Sequence, residues 1–152
     1  MKILGIDPGI ATTGFAIVEK SHGNLTSLDF GVISTPKNLK LETRLLELAD
    51  DLRGIIRHHK PDLVAVESLF FCNNQKTAIA VAEARGVILL VATELGVKVC
   101  EFTPLQVKQS VCGYGKADKR QVQKMVCEIY SLEKIPKPDD AADALAIAFA
   151  AS

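Results

Sequence analysis

Short apolar runs rich in β-branched residues open the chain and predict three strands, over Lys2–Asp7, residues 14–19 and residues 25–34. The runs are separated by Gly, Pro, Thr, Ser and Asn, which are the residues typical of turns. Because these connections are short, we expect the three strands to form an antiparallel meander.

Helical patterns then alternate with two further apolar runs. Apolar residues three and four positions apart predict an amphipathic helix over Leu41–His59, and the run 63–66 predicts a strand that ends on Glu67. The remaining pattern predicts an unusually apolar helix over 74–95, a strand over 97–102, and helices over 104–111, 118–130 and 140–151. A strand, a helix and another strand in succession favour a parallel pair, which places the strand at residue 63 beside the strand at residue 2.

The order of these elements predicts an α/β fold. A sequence of three strands followed by alternating helices and strands fits a five-stranded mixed sheet, three strands antiparallel and two parallel, flanked by helices. The 152 residues suit a single domain, 1–152, that is long enough to bury a sizeable core. With 5% aromatic residues and no Trp, that core must be built from Ala, Val, Leu and Ile.

The composition indicates the cellular compartment of the protein more clearly than it indicates the ligand. The net charge is zero, which neither favours nor excludes nucleic acid, because a local basic face matters more than the total. Four cysteines without a C-x-x-C spacing predict free thiols in a reducing cytoplasm. No signal peptide is expected, since a strand begins almost at once. No membrane partner is expected either, because the longest apolar stretch is short and carries Glu83 and Arg85.

Acidic residues occupy positions where a sheet would bring them together. Asp7 and Glu67 each end an apolar strand, and parallel neighbours would present both at the same edge, where ligands bind in α/β sheets. Asp140 and Asp143 are three positions apart, on one face of an Ala-rich helix that can approach the sheet closely. Taken singly, Asp7 could cap a turn, Glu67 could face solvent, and Asp139 and Asp140 could cap the helix.

Taken together, these four acids point to a metal site. Clustered carboxylates repel one another and need a cation, and oxygen ligands suit Mg²⁺ or Mn²⁺ better than zinc. Two such ions can activate water and stabilise the leaving oxygen of a phosphodiester. The Gly- and Thr-rich turn after Asp7 is expected to keep the approach to this carboxylate uncrowded.

Two further groups of side chains suggest contact with nucleic acid. Basic residues cluster around the turn at Gly113 to Gly115, and they either bind phosphates or form a solvated face: Lys108, Lys116, Lys119, Arg120 and Lys124. In the stretch SLFFCNN, Phe70 and Phe71 either pack in the core or stack on a base.

An ordered set of motifs resembles the RuvC Holliday-junction resolvases over nearly the whole chain. The motifs are GIDPG at residues 5–9 with Thr13-Gly14, AVES at 65–68, EARG at 83–86, QVKQ at 106–109, GYGKADKRQVQKMV at 113–126 and DAADALAIA at 140–148. The resemblance implies a ribonuclease H-like fold, a homodimer, and Mg²⁺ or Mn²⁺ with two ions in each active site. It further implies paired symmetric nicks in four-way junction DNA, leaving 5′-phosphates and 3′-hydroxyls, and an association with a branch-migration helicase.

The resemblance also assigns roles to individual positions. It implies that Asp7, Glu67, Asp140 and Asp143 are the metal-binding catalytic acids; members of the family vary between Asp and His at the position of Asp143. It implies that Lys108 and Lys119 hold phosphates near the cut. Lys116 and Arg120, which belong to the same basic cluster, are also predicted to bind DNA. Phe70 matches an aromatic residue that the family uses against bases at the junction, and the apolar helix 74–95 is the predicted dimer surface.

Three other functions compete with this interpretation. The stretch GIDPGIATTG also resembles the first phosphate loop of actin-like and sugar-kinase-like ATPases, although these enzymes need a second comparable domain. The same fold could serve as a DNA-structure-binding module without catalysis, although such a module has no need of four acids. A related nuclease could instead act on an RNA–DNA hybrid, and only a comparison of substrates separates it from a resolvase.

Overall fold

The computed structural model describes residues 1–68 and 75–152 and contains five strands and five helices in these ranges. The strands are β1 Lys2–Asp7, β2 Thr12–Ser21, β3 Asn24–Ser34, β4 Leu63–Glu67 and β5 Lys98–Phe102. The helices are α1 Leu41–His59, α2 Gln75–Glu94, α3 Pro104–Cys112, α4 Lys119–Ile129 and α5 Asp139–Ala150. Phe70, Phe71 and Asn74, the predicted first residue of the second helix, lie outside the described residues.

The five strands form one mixed sheet in the order β3-β2-β1-β4-β5. β1, β2 and β3 are the predicted antiparallel meander, and β4 pairs in parallel with both β1 and β5. This confirms the predicted sheet and the place of β4 beside β1. β2 begins at Thr12 rather than at residue 14 because its ladder with β3 continues to the pair Thr12–Ser34.

Alternating side chains of the sheet enter two separate apolar clusters. Leu4 and Ile6 of β1 pack on one face with the buried sides of α1 and α2. Ile3 packs on the opposite face with α3, α4 and α5. The protein therefore has three layers, in which a central sheet is covered by helices on both sides.

Helix α5 packs unusually close to the sheet because small residues face each other across the contact. A Cβ atom at Gly5 of β1 would overlap the main chain of Ala144 and the methyl group of Ala148. A Cβ atom at Gly14 of β2 would overlap the main-chain carbonyl of Asp140. The predicted close approach of this helix is confirmed, but Gly14 serves to admit α5 rather than to clear the approach to Asp7.

An ion pair links α2 to the edge strand β5. Arg85 of α2 donates through Nη2 to Glu101 of β5. Within the described ranges, no helix is both long and apolar enough to cross a membrane.

Candidate active site

Asp7 and Glu67 lie side by side at one edge of the sheet. β1 and β4 run parallel with Ile6 opposite Val66, so the next residue on each strand is one of these acids. Each is the last residue of its strand, and each is partly buried. Two apolar strands thus carry two carboxylates to the carboxyl edge of the sheet, as the sequence predicted.

The first turns of α5 bring Asp140 and Asp143 to the same edge. Asp7 is paired with Gly14 across the β1–β2 ladder, and Gly14 lies directly against the main chain of Asp140. Asp143 follows three positions later on the same face of the helix. The close packing of α5 on the sheet therefore places its acidic turn beside Asp7.

The acids interact strongly enough to change their protonation. Burial, together with the negative charges of Glu67, Asp143 and Asp140, raises the pKa of Asp7 from 3.8 to about 8. Burial, together with Asp143, raises the pKa of Glu67 from 4.5 to about 7. Burial also raises the pKa of Asp143, against the hydrogen bond from Lys119. Near neutral pH this cluster therefore retains protons that a bound cation would displace.

Lys119 places a positive charge inside this acidic cluster. Its Nζ donates to Asp143 Oδ2 at 3.1 Å and lies 3.5 Å from Asp139 Oδ2. The position follows from local sequence, because Asp118 and Gln121 form a capping box that begins α4 at Lys119. Lys119 thus lies where a phosphate oxygen could replace a carboxylate as its partner.

An open cleft of about 220 Å³ runs between β4, α3, α4 and α5. Its charged lining consists of Glu67, Asp143, Lys108 and Lys119, and its apolar lining includes Pro104, Val107, Val122 and Ala146. The cleft is open to solvent and has both carboxylate and ammonium groups on its walls, which suits a phosphate group that belongs to a longer polymer.

The chemistry of these donors fits a hard divalent cation. All four acids offer carboxylate oxygens, which are the ligands of Mg²⁺ and Mn²⁺. In residues 1–68 and 75–152, no three His, Cys, Asp or Glu side chains already surround a single point at ligand distances. Mutual repulsion favours this spread arrangement, and a cation would offset it and draw the carboxylates together.

The remaining predicted DNA contacts lie around the cleft or outside the described residues. Lys108 lines the cleft, whereas Lys116 and Arg120 are exposed at the turn before α4 and at its start. Their contacts with DNA remain predictions. Phe70 lies outside the described residues.

Two contacts at this edge were not predicted from the sequence. Asp139, considered only as a helix cap, shares Lys119 with Asp143 and accepts a hydrogen bond from Lys137 at 2.6 Å. The i, i+4 spacing of Asp139 and Asp143 could have indicated the shared cation. Thr13 is buried, and its Oγ1 donates to the Gly9 carbonyl at 2.5 Å, closing the turn that follows Asp7.

Known proteins resemble this chain over almost its whole length. A family model described as crossover junction endodeoxyribonuclease RuvC matches residues 3–151. The crossover junction endodeoxyribonuclease RuvC of Syntrophomonas wolfei is 51% identical over 148 residues, covering 97% of this chain and 86% of that protein. The protein of the same description from Caldicellulosiruptor saccharolyticus is 54% identical over 149 residues, covering 97% of this chain and 90% of that protein.

Solved structures give the same result for the fold. The structure of Thermus thermophilus RuvC matches with a TM-score of 0.89 at 35% identity, covering 99% of this chain and 92% of that one. The same Thermus protein, solved in complex with a Holliday junction substrate, matches with a TM-score of 0.89 at 32% identity and the same coverage. The predicted ribonuclease H-like fold is thereby confirmed.

Proposed function

The chain belongs to the RuvC family of crossover junction endodeoxyribonucleases, and on this premise we propose that it resolves four-way DNA junctions. It would do so by cutting two opposed strands at symmetric positions, in recombination and repair. The single observation that carries the proposal is the meeting of Asp7, Glu67, Asp140 and Asp143 at one sheet edge, beside a cleft lined by Lys108 and Lys119. A module that only binds DNA has no use for four partly buried carboxylates.

We propose separate tasks for the acids and the lysines. A divalent cation held by the four carboxylates would polarise the phosphodiester and make water a better nucleophile. Lys108 and Lys119 would neutralise the charge that develops on the non-bridging phosphate oxygens. Water forms the new O–P bond as the bond from phosphorus to the 3′ oxygen breaks, which leaves a 5′-phosphate and a 3′-hydroxyl.

The proposal includes two divalent ions, Mg²⁺ or Mn²⁺, at each site. Four carboxylates offer eight oxygen atoms, which is enough for two ions that share ligands and keep bound water. The elevated pKa of Asp7 and of Glu67 supports this role, because burial and neighbouring carboxylates both disfavour the charged forms, and bound cations would offset that cost.

We further propose that the protein acts as a homodimer through the outer face of α2. Ile79 and Leu90 are 60% and 57% exposed on this helix, and the exposed Ala82 and Gly86 lie between them on the same face. A two-fold axis at this face would present two equivalent cuts to two opposed strands. We also propose that the protein associates with a branch-migration helicase and is located in the cytoplasm.

The dimer surface can be tested with a matched pair of substitutions. Leu90→Arg should convert a dimer into a monomer in light scattering coupled to gel filtration. Leu46→Arg is the control, since Leu46 is 58% exposed on α1, and it should leave the mass unchanged. A wild-type monomer, or a dimer that survives Leu90→Arg, would contradict this part of the proposal.

Substrate comparison tests the function itself. The purified protein would be incubated in Mg²⁺ or Mn²⁺ with a synthetic four-way junction, a linear duplex, a flap and an RNA–DNA hybrid. The proposal predicts paired symmetric nicks on the junction only. Cutting of the hybrid in preference to the junction would favour the related nuclease, and binding without cutting would favour the DNA-structure-binding module.

A further inference from the structure

The turn that follows Asp7, residues 8–11, accepts two hydrogen bonds from the residue that follows β3. Thr35, one residue beyond β3, donates through Oγ1 to the Ile10 carbonyl. Its main-chain N–H donates to the Ala11 carbonyl at 3.2 Å. Thr35 is 6% exposed, so the donor side of both hydrogen bonds is buried.

Arg44 of α1 completes this contact. Its Nε donates to Thr35 Oγ1 at 3.0 Å, and its Nη2 donates to the Ile10 carbonyl at 3.2 Å. The Thr35 hydroxyl therefore accepts from Arg44 while it donates to Ile10. We name Arg44, Thr35 and the Ile10 carbonyl the turn latch, because they join α1, the end of β3 and the β1–β2 turn.

The sheet supports only the two ends of this turn. The β1–β2 ladder ends at the pair Asp7–Gly14 and the β2–β3 ladder ends at Thr12–Ser34, so residues 8–11 form no ladder pairs. The Thr13 hydrogen bond to Gly9 stays within the turn, whereas the latch joins the turn to β3 and α1. The core does not depend on the latch, since the two apolar clusters are formed by other residues. The latch thus acts on the segment that leaves Asp7 and has little part in holding the layers together.

We propose that the turn latch positions Asp7 for cleavage by fixing the main-chain segment that follows Asp7 in the sequence. The inference rests on the proposed function, because it requires Asp7 to take part in metal binding. Arg44 and Thr35 make their hydrogen bonds to the turn and to each other, so they are positioning residues rather than catalytic ones. A small displacement of a ligand near the reacting atoms is costly, because a shift of about 1 Å can slow a reaction on the order of a hundredfold.

A matched pair of substitutions at Thr35 isolates the hydroxyl group. Thr35→Val keeps the shape of the side chain but removes the donor to Ile10 and the acceptor for Arg44. Thr35→Ser keeps both. Four quantities would be measured: the single-turnover rate of junction cleavage, the Kd for the junction without divalent metal, the affinity for Mn²⁺ by electron paramagnetic resonance, and the Tm.

The latch predicts a specific combination of results. Thr35→Val should slow single-turnover cleavage by about tenfold to a hundredfold. It should weaken Mn²⁺ binding on the order of tenfold, as lost supporting hydrogen bonds do at metal sites. The Kd for the junction should stay unchanged, and Thr35→Ser should behave like the wild type. A purely structural role would lower the Tm without this change in Mn²⁺ affinity of the folded protein.

Arg44→Lys provides a second variant in case Thr35→Val does not fold. A lysine keeps the charge but cannot donate to Thr35 Oγ1 and the Ile10 carbonyl with the same planar fork. The same change in rate and Mn²⁺ affinity is expected. Arg57→Lys, an exposed position at the other end of α1, is the control and should change neither quantity.

These measurements distinguish an error in the turn-latch proposal from an error in the proposed junction-cleaving function. If the wild type cuts the junction and Thr35→Val equals Thr35→Ser in rate and Mn²⁺ affinity, the latch is wrong and the function stands. A variant that loses only junction binding also contradicts the latch. If the wild type cuts no junction, the proposed function fails, and Mn²⁺ affinity alone then decides whether the latch holds Asp7.

Discussion

Gly14 presents its bare Cα to the main-chain carbonyl of Asp140, and this contact sets the distance between the sheet and the acidic turn of α5. Gly14 is also the ladder partner of Asp7. A single glycine therefore connects the strand that carries one acid with the helix that carries two others.

Adding a methyl group at this position should damage the site as well as the packing. Gly14→Ala forces α5 away from β2, so we expect a loss of about 1–3 kcal/mol in the free energy of unfolding, as overpacking gives. Cleavage at a temperature where the variant remains folded should also fall. Denaturant unfolding and single-turnover assays measure the two effects.

Gly54→Ala is the matched control for Gly14→Ala. A Cβ at Gly54 meets no neighbouring atom, and the residue is exposed in α1. This substitution should stabilise the protein by about 0.5–1 kcal/mol and leave cleavage unchanged. Equal effects of the two substitutions would contradict the close contact between Gly14 and Asp140.

The raised pKa of Asp7 makes the stability of the metal-free protein depend on pH. Burial and the neighbouring carboxylates raise this pKa from 3.8 to about 8, so between these values the folded protein binds more protons at Asp7 than the unfolded chain does. The free energy of unfolding should therefore fall as pH rises from about 4 to about 8. Asp7→Asn removes this contribution and should stabilise the metal-free protein at pH 7.5, by on the order of 1–3 kcal/mol.

Thermal unfolding in EDTA across this range of pH checks the sign. The Tm difference between Asp7→Asn and the wild type should grow from pH 4.5 to pH 7.5. A difference that is constant or that shrinks over this range would show that Asp7 is not held in a repulsive, buried cluster.

Lys119 should contribute to the rate more than to the fold. It is the cation that donates to Asp143, and it is 56% exposed, so its ion pairs add little stability. Lys119→Ala should slow single-turnover cleavage by about 10²–10³-fold, the usual effect of removing one donor to a developing charge. Lys98→Ala is the control and should keep the wild-type rate, since Lys98 is exposed at the start of β5, on the opposite edge of the sheet. Equal cleavage rates for the two variants would show that Lys119 does not contribute to cleavage.

The sequence predicted the elements that depend on local pattern. Apolar runs gave β1 and β4, and the acid at the end of each run marked the edge where they meet. The Ala-rich pattern of α5 predicted its close approach to the sheet. Which glycines of the sheet contact α5 depends on how the strands are paired. The hydrophobic pattern along a single strand does not contain that information.

The contacts that the sequence did not reveal join distant segments. Arg44 occupies a polar position of an amphipathic helix. From the sequence alone, it cannot be distinguished from a charged residue that faces solvent. Its partner Ile10 lies 34 positions away, and their contact becomes visible only once α1 is placed against the turn. The pairing of Lys119 with Asp139 likewise depends on how α4 packs against α5.

Asp7→Asn separates junction binding from junction cleavage, so it is the first variant to measure. Binding of a four-way junction would be measured by gel shift, and cleavage by single turnover in Mg²⁺ and in Mn²⁺, with the exposed Asp51→Asn as the matched control. The account predicts that Asp7→Asn binds the junction like the wild type and does not cut it, while Asp51→Asn does both. A folded Asp7→Asn protein that cuts the junction at the wild-type rate would contradict the assignment of this edge of the sheet as the active site.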